Sequence, residues 1–203
     1  MPVEFDHWKL LRHWFADTLE NPDAIPLRMD WWFKRDDARD NWLSDTYREN
    51  CEAALAGQLS QWEAPPRSRL ALILLTDQLP RNLFRGTARA FEGDSLALEL
   101  CVNGHRSGQD IELGLIERVF FWMPLQHAEN LHLQKLGAEL YDSLAPADPY
   151  RSKLWKGFAD YARLHRDIIA RFGRFPHRNA ALGRVSTQEE LDYLNRGGES
   201  FGQ

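Results

Sequence analysis

Two short segments set the same groups side by side: Asp77-Gln78-Leu79-Pro80-Arg81-Asn82-Leu83-Phe84-Arg85-Gly86 and Phe172-Gly173-Arg174-Phe175-Pro176-His177-Arg178-Asn179. Each places a proline, a guanidinium and an Asn amide at the end of an apolar run. Guanidinium forks bind phosphate or carboxylate oxygens in pairs. Arg81, Arg85, Arg174 and Arg178, with Asn82 and Asn179, are therefore candidate binders of an anionic ligand. The same groups could instead close helix ends, the arginines on terminal carbonyls and the Asn side chains as caps. The echo is either two halves of one polar site or a repeated way of tying loops down.

Asp77 shares a helix face with Leu70, Ile73 and Leu74. A carboxylate facing inward must be paired, because an uncompensated buried charge costs several kcal/mol, on the order of 3–5 when a partner is removed. Arg81, one turn on, is the natural partner. Asp77 then either anchors a helix end or orients a catalytic group. His127, with Asn130 and Gln134 at i+3 and i+7, is expected on one polar helix stripe. His177 stands between Pro176 and Arg178, where neighbouring positive charge should leave a neutral imidazole able to accept a proton. Asp77, His127 and His177 are the catalytic candidates. His165, on a stripe with Tyr161, Ile168 and Phe172, reads as a satisfied core histidine.

Other chemistries lack their signatures. His127 and His132 are five residues apart, about 140° round a regular helix, so they do not chelate together. With no His-Glu-x-x-His or Cys-x-x-Cys spacing, no metal is expected. Phosphate-cradling glycine loops are missing too, and no cofactor is implied. Gly93-Asp94-Ser95-Leu96 carries the letters of an esterase block. That chemistry needs a serine after a strand and an Asp-x-x-His pair, which this chain does not have. Asp94 is read as a helix N-cap.

Helices must position these groups. Trp8, Leu11, Phe15 and Leu19 mark a helix over 5–20, broken by Pro22 and Pro26. A second runs from Asp36 to Leu55 with Trp42, Thr46, Cys51 and Leu55 turned inward. Others begin at Pro66 and at Asp94, cover Leu115 to Trp122 and Gln126 to Leu144, and run from Tyr150 to Phe172. Ser186-Thr187-Gln188-Glu189-Glu190 is a capping box for a last helix over Glu189 to Asn195. No segment alternates with period two. The expected class is all-α, antiparallel helix pairs in one domain over 1–203.

With 43% apolar and 27% charged residues the chain is globular, not disordered. Its longest aliphatic run, Leu70 to Leu75, is far short of the roughly 20 residues that cross a bilayer. The start, Met1-Pro2-Val3-Glu4-Phe5-Asp6, is acidic and has no signal-like apolar run. Cys51 and Cys101 form neither a disulfide framework nor a metal knuckle, so a reducing cytoplasm is the default. Charge is polarised: residues 1–63 hold seven Lys/Arg against thirteen Asp/Glu, and residues 150–184 nine against two. The basic stretch could draw an anion, or simply the acidic half of the same molecule. Overall acidity and the missing signatures argue against a dedicated nucleic-acid binder.

Three blocks in order carry a family resemblance: Leu70 to Asn82, Met123-Pro124-Leu125-Gln126-His127-Ala128-Glu129-Asn130, and Arg171 to Asn179. They resemble the bacterial family called domain of unknown function 924, as do Trp31-Trp32-Phe33 and Leu182-Gly183-Arg184-Val185-Ser186-Thr187. The resemblance implies a helical fold like tetratricopeptide repeats, in a superhelical or bundle arrangement, and no established reaction. Two functions remain in play. One is an interhelical pocket for a small phosphate or carboxylate ligand, in a binding protein, hydrolase or transferase. The other is a non-enzymatic adapter whose concave helical surface holds an acidic peptide. The pocket requires segments 77–85 and 174–179 to converge within reach of His127. The adapter requires an open groove with no enclosed histidine.

Overall fold

A computed structural model describes residues 5–202. Met1–Glu4, most of the stretch read for a secretory signal, and Gln203 lie outside the described residues. Among the described residues every regular element is helical, as expected, and no helix is long and apolar enough to cross a membrane.

α1 (His7–Phe15) is capped by Asp6, whose carboxylate accepts the Trp8 N–H at 2.8 Å. Leu10, Leu11, Trp14 and Phe15 are its buried face, and Trp8 stays exposed. A tight 3-10 turn over Ala16–Leu19 replaces the expected last turn. α2 (Ile25–Phe33) was not anticipated. Pro26 breaks the preceding run but sits in the first turn of a helix, where a missing N–H costs nothing.

α3 (Asp37–Leu55) starts on its Asp36 cap, which accepts the Arg39 N–H at 2.9 Å. Its buried face is Leu43, Tyr47, Cys51 and Ala54. Trp42, at 42% exposure, points outward and Thr46 is half-buried, one residue round from the buried stripe. Leu43, Tyr47 and Cys51 follow strict i, i+4 spacing, and that alignment wins over the larger indole.

The centre of the molecule is α4 (Pro66–Ile73), a single π turn over Leu74–Gln78, and α5 (Leu79–Leu83). Every residue from Ser68 to Pro80 is buried. A helix packed on all sides is a core element, so each polar group on it must find a partner inside the protein. α6 (Asp94–Arg106), α7 (Leu115–Phe121) and α8 (Met123–His127) pack around it.

α9 (Leu131–Asp142) begins only after a break at 128–130, so the expected continuous helix from Gln126 to Leu144 is two helices. Asn130 caps α9, accepting the N–H groups of His132 and Leu133, and does not share a helix stripe with His127. Gln134 fixes the break by donating to the carbonyls of Gln126 at 2.6 Å and Ala128 at 2.8 Å. α10 (Leu144–Ala147) is one turn, and α11 (Ser152–Phe172) then packs back along α9. Gly173 ends α11 in the left-handed conformation, φ 71°, which glycine adopts without strain. α12 (Gln188–Asn195) has the expected capping box, Thr187 with Glu190.

One apolar cluster reaches from Leu10 on α1 to Ala162 on α11. Phe120 is a hub within it, meeting Trp14, Phe15 and Trp32 edge-on at ring distances of 5.6, 5.4 and 4.9 Å. A smaller cluster, Ile168, Ile169 and Phe175, lies under the second proline corner.

Candidate functional site

The site starts from a defect in the central helix. Pro80 has no N–H for the Thr76 carbonyl four residues back. The ladder steps to an i→i−5 bond instead, Leu79 N–H to Leu74 O, which widens one turn and carries Asp77 and Gln78. Gly93 packs on the freed carbonyl: a Cβ there would stand 2.0 Å from Thr76 O. This close approach sets the start of α6, and with it Asp94, beside Arg81.

Asp77 is completely buried. One carboxylate oxygen is 2.6 Å from His127 Nδ1 and 3.3 Å from Arg81 Nη1. The other accepts from Gln78 Nε2 at 2.5 Å. Burial opposes ionisation, yet the carboxyl is held well below the ordinary range, because His127, Arg81 and Gln78 all turn positive ends towards it. An ionised carboxylate can only accept, so the proton between the pair sits on Nδ1. Burial, and then the Arg81 charge, push the His127 pKa down, against the pull of Asp77. The imidazole is neutral near pH 7, and its Nε2 carries a lone pair.

Asp94 joins the two proline corners. Arg81 grips it with Nη1 at 2.8 Å and Nη2 at 3.0 Å, and Arg178 reaches it with Nη1 at 2.9 Å. Arg178 also donates to the His127 carbonyl at 3.1 Å. Its guanidinium lies over the rings of Phe91 at 4.7 Å and Phe175 at 4.5 Å. Desolvation lowers Arg178 to about 10, still a cation at neutral pH. Asp94 does not cap α6. Gly93 holds the cap position and the Asp94 carboxylate is spent on the arginines.

The remaining members of the two corners tie chain down. Asn82 Nδ2 donates to Asp40 at 2.8 Å, and Arg85 binds the same carboxylate at 2.8 Å. In the second corner Arg174 pairs with Glu190 at 2.6 Å and Asn179 donates to it at 3.1 Å. Arg184 clamps Glu129 at 2.7 Å. Arg174 and Asn179 thus serve the α11–α12 loop and do not border the cavity described next. Neither Asn side chain caps a helix, although the Asn179 backbone N–H closes the 3-10 turn Pro176–Arg178 on Pro176 O.

Arg81, Asn82, Arg85, His127, His177 and Arg178 border one cavity of about 920 Å³ between α2, α5, α8, α11 and the segment 199–202. His165 is buried, 3% exposed, as its apolar stripe implied, and it borders the cavity too. It donates from Nδ1 to Tyr161 O at 2.8 Å, and its ring lies 6.1 Å from that of His127. Burial drives His165 and His177 down to about 3. For His177 the adjacent Arg178 charge counts, but less than desolvation. His177 Nδ1 is buried without a protein partner.

Phe201, in a left-handed conformation with φ 54°, stacks on His165 at 4.0 Å, and Arg85 donates to the Gly202 carbonyl at 2.6 Å. Nothing in the polar sequence after α12 marked this tail as part of the wall. Asp94 and Asp40 could have been found by asking which carboxylates remained to answer the inward arginines. Among the described residues no group of three His, Cys, Asp or Glu is placed to hold a metal ion.

No curated protein matches the chain. A solved structure of a protein of unknown function from Agrobacterium tumefaciens is 37% identical, with a TM-score of 0.78, covering 94% of this chain and 97% of that one. Residues 10–198 match the family described as bacterial protein of unknown function (DUF924), and the chain, having the three blocks that form this cavity's polar wall, belongs to that family.

Proposed function

We propose that the cavity binds a small anionic ligand, a carboxylate or phosphate, with His127 Nε2 as the proton acceptor beside it. The convergence of Arg81 and Arg178 on Asp94, next to an imidazole fixed by Asp77, is the observation that carries this reading. A carboxylate on Nδ1 that holds the opposite nitrogen ready as a base is a recurring catalytic device. If the ligand turns over, hydrolysis or transfer at its carboxyl or phosphoryl group is the class. His127 would take the proton of water or of an attacking hydroxyl, and the cationic wall would stabilise the charge that develops.

Charge bookkeeping narrows the ligand. Arg39, Arg81, Arg85 and Arg178 are met by Asp40, Asp77 and Asp94. Arg81 and Arg178 balance Asp77 and Asp94, Lys34 pairs with Asp30, and Lys153 and Glu199 offset each other. The one positive charge left over therefore belongs to Arg39 and Arg85, which share Asp40; this suits a monoanion better than a dianion. The adapter reading is weaker, because His165, only 3% exposed, and His127, backed by the buried Asp77, border the cavity, which an open peptide groove would not require.

A thermal-shift screen of acetate, butyrate, inorganic phosphate and phenyl phosphate tests the reading. A bound anion raises the melting temperature in proportion to RT ln(1 + [L]/Kd). His177→Ala, a half-buried residue outside the ion-pair network, should stay folded and lose the shift. A protein that no small anion stabilises, or a His177→Ala variant that keeps the full response, contradicts the proposal. An acidic peptide that alone stabilises the protein favours the adapter.

A further inference from the structure

The three histidines gather at one end of the cavity, whereas Lys34, Arg39 and Lys153 border it elsewhere. α11 runs along its wall, contributing Lys153, Leu154, Gly157, Phe158, Tyr161 and His165 from successive turns. Lys153 to His165 is twelve residues, about 18 Å of helix. At the His165 end stand His127, His177 and Arg178. At the other end α2 faces α11, and Met29, Trp32 and Phe33 opposite Leu154 and Phe158 give an apolar lining flanked by Lys34, Arg39 and Lys153. The rings of Phe33 and Phe158 meet edge-on at 6.3 Å.

Gly157 lies in the interior of α11, where glycine costs about 1 kcal/mol relative to alanine. It ends no helix, and a Cβ built on it meets no atom within 4 Å. Neighbouring packing does not demand the glycine. Its effect is to leave the apolar end of the cavity wide.

Resting on the reading of the cavity as an anion site, we infer that its ligand is an amphipathic monocarboxylate. The carboxylate lies at the His127–Arg178 end, and a straight apolar chain runs along α11 past Gly157 towards the touching rings of Phe33 and Phe158. At that end Arg178 Nε and His177 Nδ1 are buried without a protein partner and are the polar atoms left to meet a carboxylate. The apolar end supplies hydrophobic stabilisation in proportion to the methylenes it covers.

Titration calorimetry of the full chain with straight-chain carboxylates from butyrate to dodecanoate, kept below micelle formation, tests this. Each added methylene should tighten binding about fourfold until the chain fills the cavity. Decyltrimethylammonium, of similar length and opposite charge, should not compete. Gly157→Trp should flatten the series, so that octanoate binds no tighter than butyrate. Gly157→Ala, a better helix former, should keep it. His177→Ala should weaken decanoate more than Lys153→Ala does.

A series that binds but shows no gain with length overturns the inference and leaves the anion site standing, as does a Gly157→Trp series unchanged from the parent. A greater loss with Lys153→Ala overturns the assigned direction of the chain. Failure of butyrate, decanoate and phosphate alike overturns both readings.

Discussion

At the scale of single residues, the imidazoles dominate. His165 and His177 are buried neutral at about 3, against 6.5 in an unfolded chain. Between those values the unfolded chain binds protons that the folded chain refuses. The stability they confer is complete above pH 6.5 and is lost as pH falls towards 3. Glu190, drawn down to about 2 chiefly by its hydrogen bond to Arg174, acts in the same direction but only below its ordinary value of 4.5. Urea unfolding between pH 7 and pH 5 therefore isolates the histidines. Stability should drop by up to about 1.4 kcal/mol per pH unit for each buried imidazole, and His165→Phe should remove roughly half of the combined slope of this pair. A flat profile in the parent protein contradicts the assigned protonation states. Sequence reasoning reached the neutral His177 by way of its charged neighbour. Burial, the larger cause, depends on Phe175 and the α11–α12 loop and is not written in the residues beside it.

At the scale of elements, the π turn decides where the chemistry sits. The sequence announced an inward Asp77 and a proline soon after it. It did not announce that Pro80 would free the Thr76 carbonyl and that the Gly93 turn would press against it. Gly93→Ala forces a methyl group onto a backbone oxygen 2.0 Å away and must shift either α6 or the π turn. Destabilisation of about 1–3 kcal/mol, typical of overpacking, is expected, with weaker anion binding because Arg81 and Arg178 lose the carboxylate that positions them at the cavity. Denaturant titration and calorimetry read both effects, and an unchanged midpoint contradicts the contact. The break before α9 was hidden for a similar reason. Gln134 reaches back to two carbonyls to hold it, a tertiary role that the helical periodicity of 126–144 masks. Helix ends with local chemistry, such as Gly173 and the Thr187–Glu190 box, were legible because their determinants lie within a few residues.

At the scale of the whole molecule, the doubled proline corner resolves into a division of labour. Arg81 and Arg178 meet through Asp94 at the cavity, while Asn82 with Arg85 and Asn179 with Arg174 hold loops to Asp40 and Glu190. The loop-tying reading holds for Asn82, Arg85, Arg174 and Asn179, and the polar-site reading of Arg81 and Arg178 is the one proposed above. The helical class and most element positions could be read from apolar spacing. The cavity could not, since it draws on residues from Pro26 to Gly202 that only tertiary packing assembles. The polarity of charge along the chain is also partly spent inside it, as in the pairs Arg151–Asp23 and Arg178–Asp94.

The whole arrangement turns on an imidazole whose proton is fixed on one nitrogen and whose other nitrogen stays free at the cavity. Nitrogen-15 NMR of the histidine side chains across pH 5 to 8 observes this directly. His127 should remain neutral through most of that range with its proton on Nδ1, and Asp77→Asn should abolish that preference. A His127 that gains a second proton near pH 6.5, or that carries its single proton on Nε2, would contradict it.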